Sequence, residues 1–377
     1  MDLYVLAKKY PNGIDVNPYY FVQQLVWTLA DKGVKVRVIC PVAANKNLRY
    51  LSLPFKTEEK TENGSVVPVY RPRFFSFGEK SGRAMRLTAE RYTRACRETV
   101  KSLGAPDAFY GHFTIPCGYA SASLGKESGV PAFFAYGEPC ADELYRFGAD
   151  TLRESLAGIA GVVAVSAKSK RELAETGAVP EEKVRVFPNG VRTERFYPRD
   201  KKEARRRFGF PADAFIVSFT GAFHTRKGAR RLEKAVELLP GVYAAYAGRG
   251  SKKPGGPATL WAGPVENSDM PLFLSASDVF VLPTLNEGCS NSVIEAMACG
   301  IPVISSDREF NDDILDESCS LRVDPESPRE IAEAIRLLKN DAALRQRLAE
   351  GSLARAGDLT LEKRAEKIVS FIEECLR

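Results

Sequence analysis

The chain has 377 residues, of which 44% are hydrophobic and 27% charged, and its formal net charge is +6. This length is too great for one ordinary hydrophobic core and predicts two globular domains, with no stretch polar enough to be disordered. With two histidines, and eight cysteines that include no Cys-x-x-Cys pair, a zinc ribbon, a histidine-rich metal site and a disulfide framework are all disfavoured.

Short apolar runs alternate with helical patterns through the first half of the chain. A buried strand is predicted over residues 3–7, and apolar residues at helical spacing follow from Phe21 to Leu29. Lys32-Gly33 closes this helix before a strand over 34–40, which completes a βαβ unit. Further strands are predicted over residues 66–70, 107–111, 132–136 and 162–165.

A second series of strands and helices begins after a connector over residues 186–198, which is marked by Pro and Asn-Gly turns. Ser327-Pro-Arg-Glu330 matches a capping box with Pro at the first helical position, so a helix is predicted from there to about Lys339. Residues 360–376 carry one apolar stripe, typical of a packed terminal helix. Strands are predicted over residues 215–220, 243–247, 259–262, 279–282 and 302–305.

This alternation is typical of parallel sheets that are covered by helices on both faces. The predicted fold class is therefore α/β, with two doubly wound, Rossmann-like domains. The predicted boundaries are a first domain over 1–180, a connector over 181–198, a second domain over 199–358, and a helix over 359–377 that packs back toward the first domain. Such folds bind ligands at the carboxyl ends of their strands, which here would face each other across a cleft.

The excess positive charge is concentrated in residues 71–101. Nine Lys/Arg and three Glu give this segment a net charge of +6, the whole excess of the chain. Phe74, Phe75 and Phe77 are interleaved with the cations, so two interpretations stand side by side. One is a surface that rests on anionic lipid head groups, and the other is a solvated helix face. No nucleic-acid module accompanies the charge, and no nucleic-acid partner is expected.

The amino terminus carries no signal for export. It has no basic lead before its short apolar run, and nowhere do about 18 apolar residues follow one another. We therefore expect a cytoplasmic protein, either free or held peripherally at the inner face of a membrane.

The segment Glu287-Gly-Cys-Ser-Asn-Ser-Val-Ile-Glu295 joins a predicted strand to a predicted helix. Glu287 follows the strand over 279–282, and Glu295 lies about two turns into a helix over 290–299, so the two carboxylates reach along one ligand. Two alternatives remain open. Ser292 and Glu295 also match a capping box, and Glu287 is equally acceptable as a solvated loop acid.

Backbone N–H groups open the helix that contains Glu295. The positive end of the helix dipole favours an anion at this place, and a diphosphate fits there, with carboxylates suited to hydroxyl-rich groups on either side. The residues whose N–H groups would serve are Gly288, Cys289, Ser290 and Asn291.

A second strand-loop-helix, after the strand over 215–220, ends in the adjacent cations Arg226 and Lys227. Helix electrostatics favour acids at a helix N-terminus, so two cations there indicate a ligand. Lys227 is suited to neutralise a leaving phosphate, the kind of preorganised charge that stabilises a transition state. For Arg226, a phosphate contact and a solvated loop charge are both open.

Five motifs occur in a fixed order along the chain. They are Asn189-Gly190-Val191, Gly221, Lys227-Gly228, the 287–295 segment, and Ala296-Met-Ala-Cys-Gly-Ile-Pro-Val303. This ordered set resembles the retaining glycosyltransferases of family 4, which have the GT-B fold, over nearly the whole chain. The resemblance implies a hexosyltransferase that moves a sugar from a nucleotide-diphosphate donor to a glycan or polyprenyl-linked acceptor. It further implies retained anomeric configuration and no metal or other cofactor.

The same resemblance implies roles for individual residues. Glu287 and the amides after it would hold the donor sugar, Glu295 the ribose, and Lys227 with Arg226 the diphosphate. Gly111-His112-Phe113 looks like the family segment whose histidine approaches the donor sugar from across the cleft, and the alternative is a structural histidine with satisfied hydrogen bonds. The expected catalytic residues are therefore Glu287, His112 and Lys227. Further expected contacts are Gly13 and Val265 for the donor, and Glu138 and Tyr119 for the acceptor.

The sequence also departs from the family pattern. Ala222 stands where the family has Arg, the loop over 11–18 offers Gly13 in place of paired glycines, and Arg192 stands where Asp is common. These departures resemble a branch that builds bacterial cell-surface polysaccharide.

Three other functions are alternatives to transfer. The nearest is a nucleotide-sugar epimerase or hydrolase of the same fold, and a non-catalytic membrane-surface scaffold is more distant. A dinucleotide-dependent oxidoreductase is disfavoured, because no Gly-x-Gly-x-x-Gly follows the first strand.

Overall fold

The computed structural model describes residues 1–15 and 19–376, which form two compact units. The first unit comprises Met1–Phe187 with Arg364–Arg377, and the second comprises Pro188–Lys363. Residues 16–18 of the loop that was expected to contact the donor lie outside the described residues.

The first unit is built on a mainly parallel sheet in the order β10-β9-β8-β7-β1-β2-β5-β4, in which β4 pairs antiparallel with β5. A separate parallel pair joins β3 to β6. The strands are β1 (Asp2–Ala7), β2 (Lys35–Ile39), β3 (Val42–Ala43), β4 (Lys56–Lys60), β5 (Val66–Tyr70), β6 (Arg73–Phe74), β7 (Ala108–His112), β8 (Ala132–Tyr136), β9 (Gly161–Ala164) and β10 (Val184–Val186). The helices are α1 (Tyr20–Asp31), α2 (Gly82–Leu103), α3 (Tyr119–Ser128), α4 (Asp142–Phe147), α5 (Ala149–Leu156) and α6 (Ala167–Glu175).

The second unit is built on a parallel sheet in the order β13-β12-β11-β14-β15-β16. Its strands are β11 (Phe215–Thr220), β12 (Val242–Ala247), β13 (Thr259–Gly263), β14 (Val279–Leu282), β15 (Val303–Ser306) and β16 (Ser320–Val323). Its helices are α7 (Lys201–Phe208), α8 (Ala229–Glu237), α9 (Met270–Ser275), α10 (Asn291–Ala298), α11 (Pro328–Asn340), α12 (Ala342–Ala356) and the start of α13 (Leu361–Leu376). The predicted α/β class with two doubly wound domains is confirmed.

Burial explains which strands the sequence could predict. Every residue of β7, β8 and β14 is buried, as expected for parallel strands covered on both faces, and these strands read as continuous apolar runs. The unpredicted β4 has the sequence Lys-Thr-Glu-Glu-Lys and only half-buries alternate residues. It lies at the edge of the sheet, where pairing with β5 creates a strand that composition alone does not indicate.

Tertiary contacts change two details of the predicted elements, the capping box of α11 and the extent of the connector. Ser327 caps α11 as predicted, because its hydroxyl accepts from the Glu330 amide at 3.2 Å. The Glu330 carboxylate does not complete the capping box, since it accepts from the Asp324 amide at 3.0 Å instead. The predicted connector over 181–198 contains β10, which pairs with β9 in the first sheet.

The terminal helix α13 contributes most of its length to the first unit. Its Phe371 ring packs between Phe133 and Phe187, with ring centroids 5.7 and 6.2 Å away. Lys32 of α1 forms an ion pair with Glu366 at 2.6 Å. Within the described part of the chain, no helix combines the length and apolarity needed to span a membrane.

We expect Gly161→Ala to destabilise the first unit. A Cβ at this position would lie 2.4 Å from Cζ of Phe371, a ring that two other aromatic rings hold in place. Overpacking of this kind costs about 1–3 kcal/mol. The melting temperature of the variant, measured by scanning calorimetry, should therefore fall by several degrees.

Gly158 provides the matched control, because nothing lies within 4 Å of a Cβ added there. Gly158→Ala should leave the melting temperature close to that of the parent protein, and combining Phe371→Leu with Gly161→Ala should recover part of the loss. Equal losses for the two glycine substitutions would contradict this account of how α13 packs.

Candidate functional site

The loops after β11 and β14 meet at the carboxyl edge of the second sheet, because β11 and β14 are neighbouring parallel strands. The Leu285 amide donates to the Arg226 carbonyl at 2.8 Å, which ties the two loops together. Gly228 has a φ of 85°, and a Cβ there would lie 2.3 Å from the Pro283 carbonyl oxygen. Glycine is required at this position both by the backbone conformation and by the close approach. Gly228 thus allows the loop after β11 to bring the Lys227 cation against the loop that follows β14.

Glu287 forms the centre of a charged cluster at this edge. Its Oε1 lies 2.5 Å from Nζ of Lys227 and 2.9 Å from Nη1 of Arg226, and it accepts from Oγ1 of Thr284 at 2.9 Å. The Glu287 residue is only 7% exposed. The alternative interpretation of Glu287 as a solvated loop acid is therefore wrong, and Arg226 is likewise held by ion pairing rather than free in solvent. Two cations and one carboxylate leave the cluster with a net positive charge.

Polar groups beside the cluster were not identified from the sequence. Arg226 Nη1 also donates to the Asn286 carbonyl, and Oδ1 of Asn286 is buried with no hydrogen-bond partner among the described residues. An unpaired buried acceptor points to a ligand or water that donates to it. Thr284 and Asn286 lie in the loop that follows β14, and their position after a buried strand is the signal that could have found them.

The helix α10 begins at Asn291, with Ser290 as the N-cap residue and no side-chain cap. Glu295 consequently lies in the second turn and does not cap its own helix. The capping-box interpretation of Ser292 and Glu295 is wrong, because the helix starts before Ser292 and Ser292 instead hydrogen-bonds Ser290 at 3.2 Å. The N–H groups of the first turn remain available to an anion or to solvent.

Glu295 is half-buried, and its surroundings change its acidity. Burial raises the pKa of Glu295 to about 7, and the Arg195 guanidinium opposes that rise. Arg195 comes from the segment before α7, far from Glu295 in sequence. Only the fold brings the two residues within electrostatic range, so no local pattern in the sequence indicates that Arg195 acts on Glu295.

Asn189 fixes the loop that contains Gly288 and Cys289. Its amide Nδ2 donates to the Cys289 carbonyl at 3.1 Å, and its backbone N–H approaches Cys289 Sγ at 3.4 Å. The Asn189-Gly190 motif therefore orients the loop between Glu287 and α10. Gly190 allows this segment to lie against α13, since a Cβ there would be 2.7 Å from Leu361 Cα.

Val265 lies apart from the charged cluster. It follows β13, which β12 separates from β11, and it packs against a small apolar cluster that includes Phe273. The backbone of Gly263 is engaged nearby, since its carbonyl accepts from the Gly248 amide at 2.8 Å. The structure thus places Val265 further along the same sheet edge than Glu287.

In the first unit, His112 ends β7 and pairs in register with Ala7 of β1. The rings of Phe21 and Phe113 enclose its imidazole, with centroids 5.5 and 5.1 Å away. Nδ1 is buried without a hydrogen-bond partner among the described residues, so the alternative of a satisfied structural histidine does not hold. Burial lowers the pKa of His112 to about 3, with a further contribution from the Arg364 guanidinium, so the imidazole is neutral at neutral pH.

Glu138 braces the loop that follows His112. Its carboxylate accepts from the amides of Thr114 at 2.8 Å and Gly137 at 2.9 Å. Burial raises the pKa of Glu138, and these backbone hydrogen bonds oppose the rise. The structure therefore brings Glu138 close to His112 at the carboxyl edge of the first sheet.

The two other residues expected in the first unit's site, Gly13 and Tyr119, lie in a turn and in a helix. Gly13 lies in a turn after β1 that is closed by Asn12, whose Oδ1 accepts from the amides of Ile14 and Asp15 at 2.9 Å, and the space around Gly13 is open. The Tyr119 ring packs against Phe147 of α4, with ring centroids 5.6 Å apart.

Among the residues that the structure describes, no group of three or more His, Cys, Asp or Glu side chains is arranged to hold a metal ion. The Glu287 carboxylate is instead paired with Lys227 and Arg226.

Two protein families match almost the entire chain in succession. Residues 20–195 match the family described as Glycosyltransferase Family 4, and residues 200–355 match the family described as Glycosyl transferases group 1. A protein of Bacillus subtilis (strain 168), assigned to teichuronic acid biosynthesis as the glycosyltransferase TuaC, is 27% identical over 367 residues. That alignment covers 93% of this chain and 92% of the relative.

Solved structures share the fold at lower sequence identity. The sucrose-phosphate synthase of Thermosynechococcus elongatus superposes with a TM-score of 0.80 and 20% identity, over 99% of each chain. Anabaena HepE, solved in complex with UDP and glucose, superposes with a TM-score of 0.75 and 17% identity, over 99% of this chain and 100% of its own. Both similarities concern the fold. The two family matches, which in succession span residues 20–195 and 200–355, show that the chain belongs to the family 4 type of glycosyltransferases, and the solved structures show that it has the GT-B fold.

Proposed function

We propose that this glycosyltransferase moves a sugar from a nucleotide-diphosphate donor, held by the second unit, to a hydroxyl of a glycan or polyprenyl-linked acceptor. The proposal includes retention of anomeric configuration and no requirement for a metal ion. The Glu287 cluster is the observation that carries it. Two cations, one carboxylate and an uncapped helix N-terminus together favour an anion that also carries hydroxyl groups.

Donor binding would rearrange the ion pairs of this cluster. The diphosphate competes with Glu287 for Lys227 and Arg226, because both the carboxylate and the phosphate are anions that accept from the same N–H groups. Glu287 is then released to accept hydrogen bonds from the sugar hydroxyls. The buried Oδ1 of Asn286 lies beside it and supplies a second acceptor.

The chemical step would transfer the anomeric carbon from one oxygen to another. The bond between the anomeric carbon and the β-phosphate oxygen breaks, and that oxygen keeps the electron pair. The acceptor hydroxyl oxygen forms the new bond on the same face of the sugar and gives its proton to the departing diphosphate. Lys227, Arg226 and the N–H groups of α10 stabilise the charge that develops on the leaving group.

Glu295 and His112 complete the assignment. Glu295 would accept from the ribose hydroxyls, for which its ionised form is the stronger acceptor. His112 would act as a neutral imidazole, whose buried Nδ1 is free to hydrogen-bond a substrate group. Glu138 would hold the loop after His112 in place through its two backbone hydrogen bonds.

The relatives suggest the kinds of substrate. TuaC is assigned to teichuronic acid biosynthesis, and HepE has been solved with UDP and glucose. A UDP-sugar donor and an acceptor that belongs to a bacterial cell-surface polysaccharide are therefore the substrates we favour.

A thermal-shift screen with nucleoside diphosphates and their sugars tests the proposal. A bound donor stabilises the folded protein by mass action, so the matching nucleotide should raise the melting temperature in the absence of added metal. Product analysis of the best donor, with and without a polyprenyl-linked glycan, then separates transfer from epimerisation or hydrolysis. Donor turnover that is indifferent to every acceptor would favour the hydrolase or epimerase, and no nucleotide-dependent shift would overturn the proposed donor site.

The Glu287→Ala variant separates binding from transfer. Loss of the carboxylate leaves Lys227 and Arg226 available to the diphosphate, so the thermal shift with UDP should be at least as large as in the parent protein. Transfer should fall by about 100-fold or more, the scale expected when one preorganised polar group is removed from a reacting centre.

Glu317→Ala is a suitable control, because Glu317 is an exposed acid of the same unit. It should change neither the UDP shift nor the rate of transfer. Near-normal turnover by Glu287→Ala would remove Glu287 from the mechanism.

Donor affinity should depend on the ionisation of Glu295. Because its pKa is raised to about 7, the folded protein holds this proton more tightly than the unfolded chain, where the value is 4.5. As pH rises from about 4.5 to about 7, the contribution of this group to folding stability therefore decreases. The same rise in pH ionises Glu295, and the resulting carboxylate is the form that would bind the ribose hydroxyls.

The KM for UDP-glucose, used as a probe donor, should fall as pH rises, with a midpoint near pH 7, and Glu295→Gln should abolish that dependence. A pH dependence of KM that persists unchanged in Glu295→Gln would show that another group is responsible.

A further inference from the structure

Large apolar side chains are exposed together on one part of the first unit. Leu48 is 75% exposed, Phe75 56% and Phe77 44%, and the rings of the two phenylalanines lie 5.3 Å apart. Leu51 and Phe55 are also about half exposed. Residues 46–56 and 73–80, which carry these side chains, are called the 46–80 surface below. Exposed apolar groups gathered in this way mark interaction sites.

The helix α2, which supplies most of the basic segment over 71–101, does not present an apolar face to the outside. Its apolar residues, such as Met85 and Tyr92, are 2% and 1% exposed and pack into the core. Four of its six cations, Arg83, Arg91, Arg94 and Lys101, are exposed, so α2 has the solvated basic face that was one of the two interpretations of this segment. Arg71 is buried and donates to Pro11 and Thr57.

The two parts of the 46–80 surface are fixed to each other. β3 pairs with β6, and Arg73 of β6 donates to the Leu51 carbonyl at 2.6 Å. The Asn45 side chain donates to the Ser76 carbonyl at 2.8 Å and accepts from the Ser76 amide at 2.9 Å. These backbone contacts hold the intervening loops, so Leu48, Phe75 and Phe77 are displayed and not folded inward.

Cations surround the exposed apolar groups. Lys46, Arg49 and Lys80 are exposed and form no ion pair with a carboxylate among the described residues. Two nearby acids are neutralised, because Glu58 pairs with Lys56 at 2.7 Å and Glu79 with Lys8 at 2.7 Å, and a third, Asp15, accepts from the Tyr50 hydroxyl. The surface therefore combines apolar side chains with uncompensated positive charge, which complements an anionic lipid surface.

We propose that the 46–80 surface docks the protein on a bilayer of anionic phospholipid, with Leu48, Phe75 and Phe77 entering the head-group boundary and Lys46, Arg49 and Lys80 contacting lipid phosphates. This surface borders the acceptor side of the first unit. Lys8, which pairs with Glu79, directly follows β1, and β1 ends in register with His112. Tyr50 also donates to Asp15 in the loop after β1 at 2.5 Å. Docking would bring this edge close to a membrane-anchored acceptor, and this last point rests on the proposed function.

Co-sedimentation of the full-length protein with lipid vesicles tests the proposal. The protein should bind vesicles of phosphatidylglycerol and phosphatidylethanolamine, and bind vesicles of phosphatidylcholine much more weakly. The double variant Phe75→Ser/Phe77→Ser should lower the partition coefficient by about tenfold or more, since each buried Phe contributes strongly to transfer from water. Lys46→Gln and Arg49→Gln should each lower it by about fivefold, the equivalent of about 1 kcal/mol per cation.

Matched variants elsewhere on the chain distinguish docking by this surface from nonspecific apolar adsorption and from nonspecific attraction between basic residues and anionic lipid. Leu337→Ser and Leu353→Ser remove side chains of the second unit that are 47% and 44% exposed, and they should leave vesicle binding unchanged. Arg91→Gln/Arg94→Gln removes exposed charge from α2 and should have a much smaller effect than Lys46→Gln/Arg49→Gln. Equal losses from the α2 variant and the surface variant would overturn the proposal, and so would vesicle binding that survives Phe75→Ser/Phe77→Ser.

Two further readouts keep the proposals distinct. The thermal shift with UDP should be the same in Phe75→Ser/Phe77→Ser as in the parent protein, which shows that the variant is folded and that donor binding does not depend on docking. A UDP shift without any vesicle binding would defeat the docking proposal alone, and vesicle binding without a UDP shift would defeat the proposed donor site alone. If light scattering finds a dimer of the parent protein that Phe75→Ser/Phe77→Ser converts to a monomer, the surface is an interface between copies and the docking proposal fails.

Discussion

The pairing of Glu287 with Lys227 and Arg226 is the interaction on which the second unit's site depends. A carboxylate that is only 7% exposed is tolerated because two cations and the Thr284 hydroxyl satisfy it. The same cations are what a diphosphate requires, so the ligand-free arrangement keeps them close to the place where the phosphate charge would arrive. The two cations therefore stabilise the buried carboxylate in the ligand-free protein and also form a preorganised site for a diphosphate.

The backbone makes this pairing possible. Neighbouring parallel strands β11 and β14 deliver their loops to one edge, and Gly228 lets those loops touch where any side chain would collide with Pro283. Asn189 adds the third support by holding the Cys289 carbonyl. In the first unit, too, a strand end presents a candidate site residue and a side chain holds the adjacent loop. There β7 ends in His112, and Glu138 hydrogen-bonds the loop that follows.

Burial gives the two edges different electrostatic characters. Burial among aromatic rings and the charge of Arg364 both lower the pKa of His112, so its imidazole is neutral. For Glu295, burial raises the pKa more than Arg195 lowers it, and the resulting value is about 7. Outside both edges, the 46–80 surface shows how little a charge count reveals by itself. The cations of α2 belong to the basic segment over 71–101, whereas Lys46 and Arg49 of the 46–80 surface lie outside it, and only the cations of that surface accompany exposed apolar side chains.

The sequence by itself determined the α/β class and the two doubly wound domains, because buried parallel strands and turn glycines leave local patterns. Its ordered motifs indicated the family through their resemblance, and they singled out Glu287, Lys227 and Glu295 as candidate site residues. It could not decide between a ligand site and a helix cap for Glu295, nor between a solvated and a paired Glu287, since each choice depends on where α10 begins and on which loop lies opposite. The edge strand β4 was missed because its polar residues leave no apolar pattern, although its partner β5 follows closely in sequence. The roles of Arg195 and of the contact between Arg226 and Asn286 were missed because the residues involved lie far apart in sequence, and only the tertiary structure brings them together.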